Sequence, residues 1–209
     1  FVDPTVREPV SKYIIDYSAR ITVRRMIDRI NQSLDEETIV IADIGDSLFA
    51  STRLQTQGRT EFLSPAYYTS MGFSVPATLG AQTAMPGHRV ITICGDGAFQ
   101  MTCLELSTIV RLGYNPIVIV LDNAGYGTER ALHPGDWDYN EIHRWAYGDL
   151  TKVIGAGVAH RVITEEDFDK ALKSALADDN NLHLMHVELD RRDASETLTR
   201  LADRMSRVI

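Results

Sequence analysis

Three short polar clusters interrupt a largely apolar pattern and carry residue types suited to chemistry. They are Asp43-Ile44-Gly45-Asp46-Ser47, Gly95-Asp96-Gly97-Ala98 and Asp122-Asn123-Ala124-Gly125-Tyr126. In the second cluster, Gly95 and Gly97 permit tight backbone geometry and close approach of a ligand. A helix opening there presents free N–H groups and its positive dipole end, which suits a phosphate. Asp96 would repel a bare phosphate, and a hard, oxygen-seeking cation such as Mg²⁺ or Ca²⁺ between them resolves the conflict. Taken alone, the tripeptide reads equally well as a plain strand-to-helix turn. Asn123 follows Asp96 by 27 positions, room for one helix and one strand, so that two neighbouring strand ends come together. The Asn123 amide oxygen and the Gly125 carbonyl then join Asp96 as three protein oxygens. Diphosphate oxygens and a water would complete an octahedron.

The elements that must position these clusters are legible as alternating patterns. Thr38–Asp43, Arg89–Cys94, Pro116–Leu121 and His183–Leu189 are short and rich in β-branched residues. Three of them are near-continuous apolar runs, as expected of parallel strands covered on both faces. Helical spacing marks the stretch from Thr22 to Leu34, then Ser70–Met85, Gln100–Leu112 (ending at Gly113), Glu165–Leu176 and Ala194–Val208. Strands alternating with helices predict an α/β fold: a doubly wound, mostly parallel sheet with helices on both faces. Ligand sites in such sheets lie at the carboxyl ends of the strands, where all three polar clusters fall. Residues 1–20, with Pro4 and Pro9 and no clear period, read as a linker or lead-in, and 21–209 as one domain.

Composition excludes several classes. The hydrophobic share is 44% and the charged share 24%, ordinary for a folded globular chain. A net charge of −8 with scattered Lys and Arg argues against a nucleic-acid partner; Arg24-Arg25 reads as a solvated helix face. No stretch of about 18 apolar residues predicts a membrane span. Cys94 and Cys103 lack a metal-like spacing and read as buried thiols, which favours a reducing, cytoplasmic location. No G-x-G-x-x-G opens the first crossover, which weighs against a nicotinamide oxidoreductase.

A Gly-Asp-Gly followed by Asn at this interval resembles the fingerprint of thiamine-diphosphate enzymes. The wider text resembles pyruvate and indolepyruvate decarboxylases, 2-oxo-acid decarboxylases of that family. The matching stretches are Ala42–Phe49, Met71–Ala77, Gly95–Thr102, Asn123–Glu129 and Tyr139-Asn140-Glu141-Ile142. The resemblance spans roughly residues 20–190 and implies specific roles. Asp96, Asn123 and the Gly125 carbonyl would hold Mg²⁺ (or Ca²⁺ in its place). Asp46, Ser47 and the Ala98 backbone would meet the diphosphate of thiamine diphosphate, with Gly95 and Gly97 lining the same turn. Met71 would wedge beneath the bent cofactor, and the Thr69 backbone would accept a pyrimidine amino hydrogen bond. Glu129 would face the 2-oxo acid and assist decarboxylation and proton transfer, which calls for a raised pKa in a dry pocket.

Two positions depart from the family's habit: its usual Asn-Asn reads Asp122-Asn123, and Thr69 stands where Gly is frequent. Plainer readings stay open beside these roles. Met71 is also a core filler, Glu129 a surface partner of Arg130, and Asp46-Ser47 a helix cap. His133, His143 and Trp137 either edge a substrate pocket or are ordinary loop residues, and His183 and His186 read as core or edge histidines rather than a metal pair. The family also builds its site between two domains, the second supplying a Glu to the pyrimidine. No such domain is found here, so the resemblance implies a pyrimidine-binding domain from the same or another polypeptide and a homo- or hetero-oligomer. A non-catalytic structural or regulatory subunit, and an acetolactate-synthase-like carboligase, are the competing functions.

Overall fold

The computed structural model describes residues 12–56, 61–135 and 137–205. Six strands form one sheet: β1 (Thr38–Ala42), β2 (Phe62–Leu63), β3 (Arg89–Gly95), β4 (Ile117–Asp122), β5 (Val158–Val162) and β6 (His183–Glu188). Their order is β2-β1-β3-β4-β6-β5, and every pairing is parallel. Strands β1 and β4 are buried at every residue, as their unbroken apolar runs demand. The helices are α1 (Val23–Asn31), α2 (Asp46–Ser51), α3 (Ser74–Ala84), α4 (Asp96–Thr102), α5 (Glu105–Arg111), α6 (Gly127–Leu132), α7 (Leu150–Ile154), α8 (Glu165–Leu176) and α9 (Glu196–Met205).

Alternate residues of each strand feed opposite cores. Ile117, Ile119 and Leu121 of β4 join Met26, Ile30, Phe168 and Leu172 of α1 and α8. Val118 and Val120 turn the other way, onto Phe99, Leu106 and Ile109 of α4 and α5. Two layers of helices around a parallel sheet are the expected doubly wound arrangement. The chain leaves β1 for β2 on one side and returns as β3 on the other. The ends of β1 and β3 therefore flank the topological switch point, where a crevice opens in such sheets.

The structure corrects the sequence reading at several elements. The helix expected over Gln100–Leu112 is two helices, α4 and α5, and α4 begins at Asp96, inside the glycine pair. The helix expected from Ser70 begins at Ser74, because Thr69 and Gly72 take left-handed backbone angles (φ 57° and 80°). Strands β2 and β5 went unread: β2 has two residues, and β5 is a partly exposed edge whose His160 and Arg161 break the apolar pattern. Over its described part the lead-in packs against the rest of the chain. Tyr13 is buried and donates its hydroxyl to Glu165 at 3.0 Å, and Arg20 bridges to Thr164. Arg25 likewise is not a solvated residue: it pairs with Glu165 at 2.6 Å and lies 4.2 Å over the Tyr13 ring. Residues 1–11 and 206–209 of the expected lead-in and last helix lie outside the described residues.

Candidate functional site

Register brings the three polar clusters side by side. Ala42 pairs with Ile93 and Gly95 with Leu121, so the loops after β1, β3 and β4 leave the sheet at one edge. Between them opens a cleft of about 430 Å³ whose walls include Ser47, Met71, Gly95, Asp96, Asn123 and Glu129. Thr69, Asp46, Gly97, Ala98 and Gly125 line it as well. Every site residue expected from the sequence therefore reaches one cavity.

Asp96 is the chemical centre of this cleft. It is the first residue of α4 and 1% exposed, with Oδ1 accepting the Gly97 N–H at 2.8 Å and Oδ2 the Gly125 N–H at 3.0 Å. Burial pushes its pKa up to about 7, against those two N–H donors, and the nearby charge of Asp122 pushes the same way. A buried carboxylate held this uneasily is stabilised by a cation. Among the described residues no three His, Cys, Asp or Glu side chains converge on a metal position. The available donor set is instead one carboxylate, the Asn123 amide and a carbonyl, hard oxygens of the kind Mg²⁺ or Ca²⁺ takes.

Glycine is required where the loops touch. A Cβ on Gly125 (φ 139°) would lie 2.0 Å from the Asn140 carbonyl oxygen, and one on Gly97 would lie 2.5 Å from the Tyr126 ring. A Cβ on Gly95 meets nothing within 4 Å, so glycine there leaves room in the cleft. Ser47 supplies a second open valence: its hydroxyl is buried, lines the cleft and has no hydrogen-bond partner among the described residues. An unsatisfied hydroxyl beside a cation position fits a diphosphate oxygen.

Other members are engaged differently from expectation. The Asp46 carboxylate accepts the N–H of Ser195 at 2.8 Å and also the Ser195 hydroxyl. Burial pushes its pKa up, with the Ser195 donors opposing, so its side chain is committed away from a diphosphate. Glu129 lines the cleft from α6 but stands exposed in this chain, so the dry pocket foreseen for it is not formed by these residues alone. It makes no pair with Arg130. That guanidinium reaches back to the carbonyls of Asn123 and Ala124, at 3.0 and 2.5 Å. Met71 is 37% exposed in the cleft rather than in the core. Thr69, a β-branched residue at φ 57°, holds a strained conformation that glycine adopts freely.

Three residues that hold the site, Asp43, Arg130 and Asp122, stand in the sequence reading without the roles the structure gives them. Asp43, fully buried, accepts the N–H groups of Ile44 (2.9 Å), Gly72 (3.2 Å) and Ser74 (2.9 Å), while Thr102 donates to the Gly72 carbonyl at 3.0 Å. The turn bearing Met71 is thereby tied to the end of β1. Arg130 clamps the loop after β4. Asp122 faces His186 Nε2 at 2.7 Å and Arg144 Nε at 3.1 Å. Burial works against its charge, but His186, Arg144 and the Ala124 N–H outweigh it and leave its pKa below the ordinary range. The available signal was that Asp43 and Asp122 end strands, where a carboxylate meets the free N–H groups of the next turn. His183 pairs with His160 and Asp178, while His186, an odd number of residues along β6 and so on its opposite face, meets Asp122. His133, Trp137 and Tyr139 stack into a short ladder, with centroid spacings of 5.4 and 6.1 Å. Cys94 and Cys103 are buried free thiols.

A parallel sheet whose switch-point loops line one cleft with a buried acid, an amide, an open hydroxyl and glycines defines a class: domains that take a cofactor at the carboxyl edge of the sheet. Residues 43–187 match the family model for the thiamine pyrophosphate enzyme, C-terminal TPP binding domain, and the chain belongs to that family. It is 36% identical over 185 residues to an indole-3-pyruvate decarboxylase of Azospirillum brasilense, covering 88% of this chain and 33% of the relative. It is 32% identical to alpha-keto-acid decarboxylases of Mycobacterium avium (95% of this chain, 36% of the relative) and Mycolicibacterium paratuberculosis (87% and 32%). The chain spans about a third of the length of these curated relatives. No helix among the described residues is long and apolar enough to cross a membrane.

Proposed function

We propose that this chain supplies the metal- and diphosphate-binding half of a thiamine-diphosphate- and Mg²⁺-dependent decarboxylase acting on a 2-oxo acid of the pyruvate or indolepyruvate type, releasing an aldehyde. The observation that carries the reading is Asp96: a carboxylate buried at the switch point, its pKa pushed up to about 7, beside the unpartnered Ser47 hydroxyl. The relatives' names support the reaction class. Asp96, Asn123 and the Gly125 carbonyl would hold Mg²⁺. Ser47 and the backbone at Ala98 and Asp46 would meet the diphosphate, Met71 would support the bent cofactor, and the Thr69 carbonyl would receive its amino group. When bound, the cofactor supplies an electron sink for the pair left as CO₂ departs.

The protein's own part is position and proton transfer. Glu129 stands at the rim, and a pyrimidine-binding domain, from the same polypeptide or another, would cover it and complete the pocket. With water excluded there, Glu129 would face the substrate as the proton-transferring side chain. Assembly as an oligomer and a cytoplasmic location, consistent with two buried reduced thiols, belong to the same reading.

The test is direct. In the full-length protein carrying this chain, thiamine diphosphate should quench tryptophan fluorescence only when Mg²⁺ is present. Pyruvate or indolepyruvate should then release CO₂ and the matching aldehyde. Quenching without decarboxylation of any 2-oxo acid would leave a cofactor-binding subunit or a carboligase and reject the decarboxylase reading.

A further inference from the structure

The loop after β4 is strung between two carboxylates. Asp122 is 1% exposed, and its Oδ1 accepts the Ala124 N–H at 3.2 Å. The next N–H, that of Gly125, goes to Asp96 Oδ2 at 3.0 Å. Ala124 sits between them at φ 61°, a left-handed angle that a non-glycine residue keeps only when its surroundings enforce it. Asp122 and the Arg130 clamp on the Asn123 and Ala124 carbonyls supply that enforcement.

Asp122 has two further partners. Arg144 approaches Oδ1 at 3.1 Å and His186 Nε2 approaches Oδ2 at 2.7 Å. Because an ionised carboxylate only accepts, His186 Nε2 carries the proton. Both oxygens of Asp122 are thus engaged by the protein itself, two donors on Oδ1 and one on Oδ2. Its carboxylate is set beside that of Asp96 along the loop, the two taking the adjacent N–H groups of Ala124 and Gly125. Resting on the reading of the cleft as a cation–diphosphate anchor, we infer that Asp122 is a positioning residue for the cation: it fixes the Asn123–Gly125 loop and places a second negative charge behind the site, with Arg144 as a partial counter-charge.

An Asn at 122 separates the two effects. Its Oδ1 can still take the Ala124 N–H, while the negative charge is lost and its NH₂ group faces donors. In the full-length protein, the Mg²⁺ concentration for half-maximal quenching by thiamine diphosphate should rise about tenfold in Asp122→Asn, the scale of an outer-shell contact. Thiamine diphosphate affinity at saturating Mg²⁺ should stay within about twofold by the same reasoning. Asp122→Ala should raise the Mg²⁺ requirement further and weaken cofactor binding as well. Arg144→Gln, which removes the counter-charge, should lower the Mg²⁺ requirement, a sign that a purely structural role does not produce. Unfolding midpoints without cofactor check that each variant folds; if Asp122→Ala does not, the Asn and Arg144 variants decide. An unchanged Mg²⁺ requirement in Asp122→Asn, or a raised one in Arg144→Gln, overturns the inference alone. No Mg²⁺-dependent response in the unsubstituted protein overturns the anchor reading and this inference with it.

Discussion

Asp46 and Ser195 are 149 positions apart, yet the Asp46 carboxylate accepts both the backbone N–H and the hydroxyl of Ser195. The same hydroxyl oxygen accepts the Leu198 N–H at 3.2 Å, so Ser195 caps α9 while donating to the first turn of α2. The last helix is thereby tied to the loop that borders the cleft. Replacing Ser195 with Ala removes a cap and leaves a partly buried carboxylate short of a donor. A loss of roughly 1–3 kcal/mol is expected, read as a lower urea midpoint with an unchanged slope. No loss would show the contact to be incidental.

Asp96 makes the cofactor-free protein less stable as pH rises. Its folded pKa of about 7 lies above the ordinary 3.8, so the native state binds the extra proton between those values. Its stability contribution is best at or below about pH 4 and declines until about pH 7, where the penalty is complete. Asp96→Asn should remove this decline, raising the cofactor-free unfolding free energy at pH 8, read from urea unfolding, by an amount on the order of a few kcal/mol. It should also abolish the stabilisation that Mg²⁺ and thiamine diphosphate give together. Retained stabilisation would refute the ligand assignment.

Thr69 pays a conformational cost that glycine would not. A non-glycine residue in the left-handed region costs about 1–2 kcal/mol, while added glycine flexibility returns about 0.5–1 kcal/mol of that. Thr69→Gly should therefore stabilise the protein slightly, by up to about 1 kcal/mol, in thermal unfolding. A clear destabilisation would mean that the threonine side chain has contacts that outweigh its backbone angle.

His160 and His183 share a hydrogen bond of 2.9 Å, stacked at 5.2 Å between ring centres. Burial lowers both pKa values, and for His160 the neighbouring His183 lowers it further. For His183 the Asp178 carboxylate opposes the shift without cancelling it. A histidine whose folded pKa is depressed stabilises fully above its unfolded value of about 6.5 and loses that contribution as pH falls through the folded value. Acid should thus loosen the β5–β6 edge first. Amide exchange at Val158–Val162 should accelerate below about pH 6.5, relative to β4, and His160→Asn should flatten that response.

Glu129→Gln separates chemistry from binding. In the full-length protein the loss in kcat should be about 10²–10⁴-fold, the usual weight of a general acid. Mg²⁺-dependent quenching by thiamine diphosphate should be unaltered. A loss of quenching instead would place Glu129 in cofactor binding.

Much of this protein was decided by local sequence. Runs such as Ile117–Leu121 and Thr38–Ala42 admit burial on both faces and little else, so the parallel sheet, and with it the edge where ligands bind, was readable from residue order. The Gly95-Asp96-Gly97 and Asn123 spacing located the cleft for the same reason: one crossover separates adjacent strand ends. Only tertiary structure decided how the polar side chains are spent. Asp46 turns to Ser195, Arg130 to the Asn123 and Ala124 carbonyls rather than Glu129, and Asp43 to the turn carrying Met71. Such pairings rest on one or two hydrogen bonds each, between residues 6 to 149 positions apart, and periodicity does not encode the partners. The split of one expected helix into α4 and α5, and the left-handed turn at Thr69, arise likewise: packing around the cleft overrides a helical propensity that differs by only tenths of a kcal/mol per residue.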